Sequence, residues 1–159
     1  VDALWRSAYR VAFRLQLVYW RLRRPRITGA YVAVWRGDEL LCIRNSYRRR
    51  YSLPAGGLAR GETPVEAAVR ELREEVSIDV RPEELHYAGE IVSQVGHAED
   101  HAHFFELTRD RGVDFAVDGR EVVWAGFLPP ADALERGVVD VVRQYLERWL
   151  DRSARPVER

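Results

Sequence analysis

LPAGGLARGETPVEAAVRELREEVSI, residues 53–78, decides the reading of this chain. It opens on a proline and two glycines, turns at Gly61 and enters a helix expected from about Thr63 to Val76. Thr63 suits the N-cap, Pro64 the first helical position, and Glu66 stands three residues after the cap, the capping-box position. At about 100° per residue, Val65, Ala68, Val69, Leu72 and Val76 share one side, a core-facing stripe. Glu71, Glu74 and Glu75 gather roughly opposite, within an arc of about 100°. Like charges at these spacings cost a few tenths of a kcal/mol per pair, and an ordinary solvated face would mix its signs. Here Arg70 and Arg73 lie to one flank. A hard divalent cation such as Mg²⁺ or Mn²⁺, which takes oxygen ligands, makes three clustered carboxylates favourable.

The rest of the chain bounds the setting. At 159 residues it is read as one domain with a real core. Acidic and basic residues balance at 25 each, so composition announces no stable nucleic-acid partner. Every basic residue is arginine, for which a GC-rich genome is reason enough. The lone Cys42 sits in an apparent strand, which excludes a disulfide framework and fits a reducing, cytoplasmic setting. There is no methionine, so an extension ahead of Val1 is expected.

Residues 3–24 read as an amphipathic helix. Leu4, Trp5, Ala8, Val11, Ala12, Leu15, Val18, Tyr19 and Leu22 form a broad apolar arc, and Arg6, Arg10, Arg14 and Arg21 lie within roughly 80° on the other side. The segment is too charged to span a membrane and has no signal-peptide cleavage site. Packing on its own domain, a homodimer contact and an anionic membrane surface are three open readings, taken in that order. The organisation expected is this helix over 1–26, the main domain over 27–151 and a polar tail over 152–159.

After Pro25, Tyr31–Trp35 and Leu40–Ile43 read as a β-hairpin turned at Gly37-Asp38. The basic run from Arg44 to Tyr51 then leads into the 53–78 stretch. Arg44, Arg48, Arg50 and Tyr51 are candidates to meet a polyphosphate at the mouth of the carboxylate site, against the plainer reading of a solvated loop. Tyr87–Val95 and His103–Leu107 read as strands around a polar turn over Gly96–His101. His97, His101 and His103 fit no common zinc spacing; a substrate-facing loop and a solvated hairpin stay open. Glu121–Leu128 reads as a further strand, Ala131–Arg136 as a short helix or turn, and Val138–Leu150 as an amphipathic helix.

The 53–78 stretch resembles the Nudix box: Gly, five residues, Glu, seven residues, Arg-Glu, an aliphatic, any residue, Glu-Glu, any residue, Gly, an aliphatic. Gly56, Glu62, Arg70, Glu71, Leu72, Glu74, Glu75 and Ile78 fill their slots. Ser77 stands where the pattern has glycine, and Ala55 where a glycine is common. A left-handed helix stop at Ser77 would cost about 1 kcal/mol without touching a ligand slot. The resemblance implies an α/β (α+β) Nudix fold, a mixed sheet sandwiched between helices, to which the N-terminal helix is an addition. It also implies Mg²⁺- or Mn²⁺-dependent hydrolysis of a diphosphate linkage in a nucleoside diphosphate derivative.

Carried over by residue, Glu71, Glu74 and Glu75 are implied metal ligands, with the Ala55 carbonyl as a further one. Arg70 orients the glutamates, while Gly56 and Glu62 support the loop. For the general base, Glu71 ranks ahead of Glu121, with Glu99, Asp100 and Asp118 as other acids on later segments. A Nudix-like nucleotide-binding or regulatory domain without turnover is the alternative. A prenyl-diphosphate isomerase is a distant third, because Cys42 lies in an apolar run that reads as packing. Tyr47, Tyr51 and Trp35 are equally open to stacking on a base and to core packing.

Overall fold

The computed structural model describes residues 2–109 and 112–154. Four helices and six strands follow the order α1 (Asp2–Arg23), β1 (Arg26–Arg36), β2 (Glu39–Asn45), β3 (Ala55–Gly57), α2 (Pro64–Val76), β4 (His86–Val95), β5 (Ala98–Thr108), β6 (Val122–Leu128), α3 (Pro130–Arg136) and α4 (Asp140–Ala154). Within the tail expected at 152–159, residues 152–154 continue α4 and 155–159 lie outside the described residues.

The sheet runs β4-β5-β1-β2-β6, with short β3 also on β1. Only β1 and β5 pair in parallel, so the sheet is mixed. Alternation along β1 divides the core into two layers. Tyr31, Ala33 and Trp35 face α4, meeting Val142, Tyr145 and Leu146; Ala30, Val32 and Val34 face α2, meeting Ala68, Leu72 and Val76. Each large side chain buried in this way contributes about 1.5–3 kcal/mol. A charge at Leu72, which is fully buried, would break the α2 layer.

What positions the site is a split in the sheet. β1 and β2 pair only at their hairpin end, Trp35 with Leu40 and Arg36 with Glu39. Beyond it the strands part, and the chain after β2 fills the gap. Ser52 bridges to Ile43, Val32 donates its N–H to the Pro54 carbonyl at 2.9 Å, and β3 pairs Ala30 with Gly56. Residues 53–57 are thus pinned on both sides just ahead of α2.

α2 has the ends its sequence asks for. Thr63 and Glu66 form the reciprocal capping box, and Ser77 takes a left-handed conformation (φ 57°) with its N–H turned back to the Leu72 and Arg73 carbonyls.

Two expectations are corrected. The turn between β4 and β5 is confined to Gly96 and His97, and Glu99, Asp100 and His101 belong to β5. Ala98, Asp100, Ala102 and Phe104 point inward while Glu99, His101 and His103 alternate outward. An acid at an inward slot disguised that alternation. The second correction concerns α1. Its inward residues are Arg6, Tyr9, Phe13, Leu17 and Trp20, and the apolar arc expected to pack on the domain faces solvent instead. Arg6 Nε donates to the Gly119 carbonyl (2.9 Å), and the Phe13 ring lies 5.0 Å from that of Tyr47.

Candidate active site

Helix α2, the loop on β3 and helix α1 enclose a cavity of about 750 Å³. One wall carries Gly56, Glu62, Glu71 and Glu74; Glu121 and Tyr47 come from the opposite side, and Tyr9, Phe13 and Trp20 of α1 form a roof.

Glu75 is the most enclosed of the acids, at 6% exposure. It accepts hydrogen bonds from the Ala55 N–H (2.8 Å) and from Asn45 Nδ2 (3.2 Å). Burial pushes its carboxyl up to about 8; the Ala55 bond opposes this, and the charges of Glu71 and Glu121 reinforce it. Glu71 is also held above the usual range by burial, with Arg70 opposing. Glu121, which accepts from the Tyr47 hydroxyl at 3.2 Å, is raised chiefly by burial.

Arg70 is the hub of the wall. It grips Glu62 bidentately (2.8 and 3.0 Å), donates Nη1 to Glu71 (2.5 Å) and Glu74 (3.3 Å), and donates Nη2 to the Gly57 carbonyl (2.9 Å). Only a planar five-donor fork can tie a loop carbonyl and three carboxylates together in this way. Gly56 leaves room for the Glu71 carboxylate: a Cβ there would lie 1.8 Å from Glu71 Oε1 and push that carboxylate off Arg70.

Glu71, Glu74 and Glu75, expected to converge on one cation position, do not do so here. Among the described residues no three acids, histidines or cysteines already stand around one cation position. Arg70 draws Glu71 and Glu74 to itself, and Glu75 turns toward Asn45. The donor set nonetheless suits a divalent cation. It is all carboxylate oxygen, and beyond burial the charges of Glu71 and Glu121 raise Glu75, those of Glu74 and Glu121 raise Glu71, and those of Asp118 and Glu74 raise Glu121, so one guanidinium leaves the repulsion incompletely compensated.

The basic loop is divided. Arg48 lines the cavity, its guanidinium 5.1 Å from the Phe13 ring and 5.6 Å from that of Tyr47. The other three candidates lie elsewhere: Arg50 pairs with Asp140 at 2.7 Å, Arg44 is exposed on β2 opposite Trp124, and Tyr51 packs edge-on against Trp124. Trp35 stacks on Trp149 in the core. His101 lies between Glu90 (2.6 Å) and Glu99 (3.0 Å) outside the cavity, and Cys42 is a buried thiol pushed up to about 12 by burial.

Two more residues complete the site: Asn45, which carries no assignment from the sequence, and Asp100, expected only as one of several later acids. Asn45 ends β2 and orients Glu75. Asp100, 4% exposed, looks into the cavity, and burial pushes it up to about 6. The signal for Asp100 was its inward place in the alternation of β5; Asn45 had none beyond being a polar residue ending an apolar strand.

The NUDIX domain family model matches residues 25–150. The chain belongs to the Nudix family. With that comes the enzyme class, Nudix pyrophosphohydrolase. Solved Nudix structures share the fold. The MutT protein from Methanosarcina mazei Go1 superposes with a TM-score of 0.72 at 19% identity, covering 83% of this chain and 98% of that one. A Caenorhabditis elegans Ap4A hydrolase gives 0.68 at 19% identity, covering 80% and 98%. The dihydroneopterin triphosphate pyrophosphohydrolase of Escherichia coli gives 0.65 at 20%, covering 76% and 92%. No curated protein sequence matches the chain. Residues 2–23 lie ahead of the matched segment, so α1 is a roof added to the Nudix core.

Proposed function

We propose that this Nudix enzyme hydrolyses a diphosphate linkage in a nucleoside diphosphate derivative, with Mg²⁺ or Mn²⁺ held by Glu71, Glu74, Glu75 and the Ala55 carbonyl. The observation that carries the reading is the gathering of Glu71, Glu74 and Glu121 on the walls of one roofed cavity of about 750 Å³, with Glu75 buried on the N–H of the cavity-lining Ala55. When bound, the cation neutralises phosphate oxygens and acidifies water.

The chain's own groups supply the rest. Arg70 bonds Glu62, Glu71 and Glu74 together, so it holds the acids in register. Asn45 fixes the Glu75 carboxylate. Glu121, raised by burial and steadied by Tyr47, accepts a proton from the attacking water; this places it ahead of Glu71, whose oxygen is engaged by Arg70. Arg48 faces phosphate oxygens, and the Tyr9, Phe13 and Tyr47 rings offer faces to a base.

Asp100 sits at the other end. Ile27, its partner on β1, and Ala30, the partner of Gly56, are three residues apart, about 10 Å along the strand. That span separates a phosphate chain from the donors of its nucleoside, and Asp100 accepts from those donors. Two of the solved relatives are hydrolases named for Ap4A and for dihydroneopterin triphosphate, both phosphoanhydrides, which supports this substrate class. Residues 27–151 form the catalytic unit and 1–26 its helical addition. The buried Cys42 suits a cytoplasmic setting.

The test is product-resolved turnover of dinucleoside polyphosphates, nucleotide sugars, nucleoside triphosphates and dinucleotide cofactors with Mg²⁺, Mn²⁺ and EDTA. The proposal expects release of a nucleoside phosphate that EDTA abolishes. Tight nucleotide binding with no turnover of any of these would instead support a binding domain.

A further inference from the structure

Seven of the nine large apolar side chains that stand exposed among the described residues lie on α1: Leu4, Trp5, Val11, Leu15, Val18, Tyr19 and Leu22. They are not scattered. Leu4, Ala8, Val11, Leu15, Val18 and Leu22 recur at alternating spacings of four and three, with Trp5 and Tyr19 along one edge. The helix is about 33 Å long, so the stripe is continuous over its length. A patch of this kind marks an interaction surface.

Its charge says what covers it. Between Ala3 and Gly37 the chain carries eight arginines and no acid, in a protein whose total charge is zero. Arg10, Arg14 and Arg21 project along one border of the stripe at about 280–320° on the helical wheel, and Arg23 along the other. Arg14, Arg21 and Arg23 are exposed and carry no ion pair among the described residues. A second copy laid antiparallel on this face would set arginine border against arginine border with no acid to meet it. A bilayer with anionic headgroups complements both parts. Its acyl boundary takes the Leu, Val, Trp and Tyr side chains, and its phosphates take the arginines.

We propose that α1 is a docking helix that seats this protein on an anionic membrane surface. It lies in the interfacial plane with its stripe down and the Tyr9, Phe13 and Trp20 face up against the domain. No described helix is long and apolar enough to cross a membrane, so the attachment is peripheral. Because one face of the helix takes lipid while the other roofs the cavity, the catalytic pocket is carried at the headgroup level. The attachment is independent of which phosphoanhydride the site hydrolyses, and its test needs no turnover.

The experiment is sedimentation of the full chain with phosphatidylcholine vesicles, alone or containing phosphatidylglycerol, with light scattering of the protein by itself. Binding to the anionic vesicles should exceed that to the zwitterionic ones by at least tenfold and weaken as salt is raised. The Leu15→Glu, Val18→Glu double variant should lose it. Arg14→Gln and Arg21→Gln should each weaken it about fivefold. Melting should stay unchanged in all of them, since these side chains already stand in water. No vesicle binding, or equal binding to both compositions, overturns the proposal. So does a vesicle-indifferent dimer that Leu15→Glu converts to monomer, which assigns the face to a second copy.

Discussion

Replacing Glu75 by Gln isolates what burial does to the site. The side chain keeps its size and its acceptor for the Ala55 N–H but cannot ionise. In the wild type, burial moves this carboxyl from 4.5 to about 8. A carboxyl raised in this way adds stability that is complete below its unfolded value and is lost as pH climbs through the folded one. Between pH 4.5 and pH 8 the metal-free fold should therefore weaken by about 1.4 kcal/mol per unit, on the order of 4–5 kcal/mol in all, and level off above pH 8. At about 2–4 °C per kcal/mol for a chain of this size, the melting temperature should fall by roughly 10–20 °C. Thermal melts in EDTA across pH 5–9 read this directly. The Glu75→Gln protein should show a shallower decline, retaining the slope due to Glu71, Glu121 and Asp100, which burial also raises. Adding Mg²⁺ should lift the wild type at high pH much more than the variant. Parallel wild-type and variant curves in EDTA would refute the reasoning.

Three further changes probe other parts of the account. Gly56→Ala drives a methyl into Glu71, so turnover should fall by about a hundredfold or more while the melting point drops by the equivalent of about 1–3 kcal/mol; steady-state kinetics and melting measure both. Ser77→Gly relieves a left-handed residue (φ 57°) and should stabilise by about 0.5–1 kcal/mol in denaturant titrations, with kcat unchanged. Asp100→Asn should raise KM about tenfold with little change in kcat. In the wild type KM should rise as pH falls below about 6, where Asp100 gains its proton, and in the variant that limb should be missing.

The 53–78 stretch disclosed most of the site because its signals are local. A capping box, a left-handed stop and a hydrophobic stripe depend on residues within one helix, and Glu62, in the loop just ahead of that helix, is only eight residues from its partner Arg70. The centres of the strands at 31–35, 40–43, 87–95 and 103–107 were legible from β-branched and apolar runs, whereas the start of β5 at Ala98–Ala102 was hidden by its acids and histidine. What escaped depends on tertiary neighbours. The periodicity of α1 reports how much apolar surface it has but not which side meets the domain. Its inward face is built of Tyr9, Phe13 and Trp20, large rings that count only moderately as apolar, with Arg6 reaching a carbonyl. The basic loop could not say which arginine turns inward, because Asp140, the partner that takes Arg50 away, lies 90 residues further on. Asn45 needed the depth of Glu75 to give it a role.

The central claim is that the acids of α2 bind a divalent cation, and the most direct measurement is the free Mn²⁺ signal in electron paramagnetic resonance as protein is titrated in. The wild type should deplete that signal with saturable stoichiometry, and Glu74→Gln and Glu75→Gln should each restore most of it while remaining folded. Equal depletion by wild type and both variants would place any cation elsewhere and contradict the account.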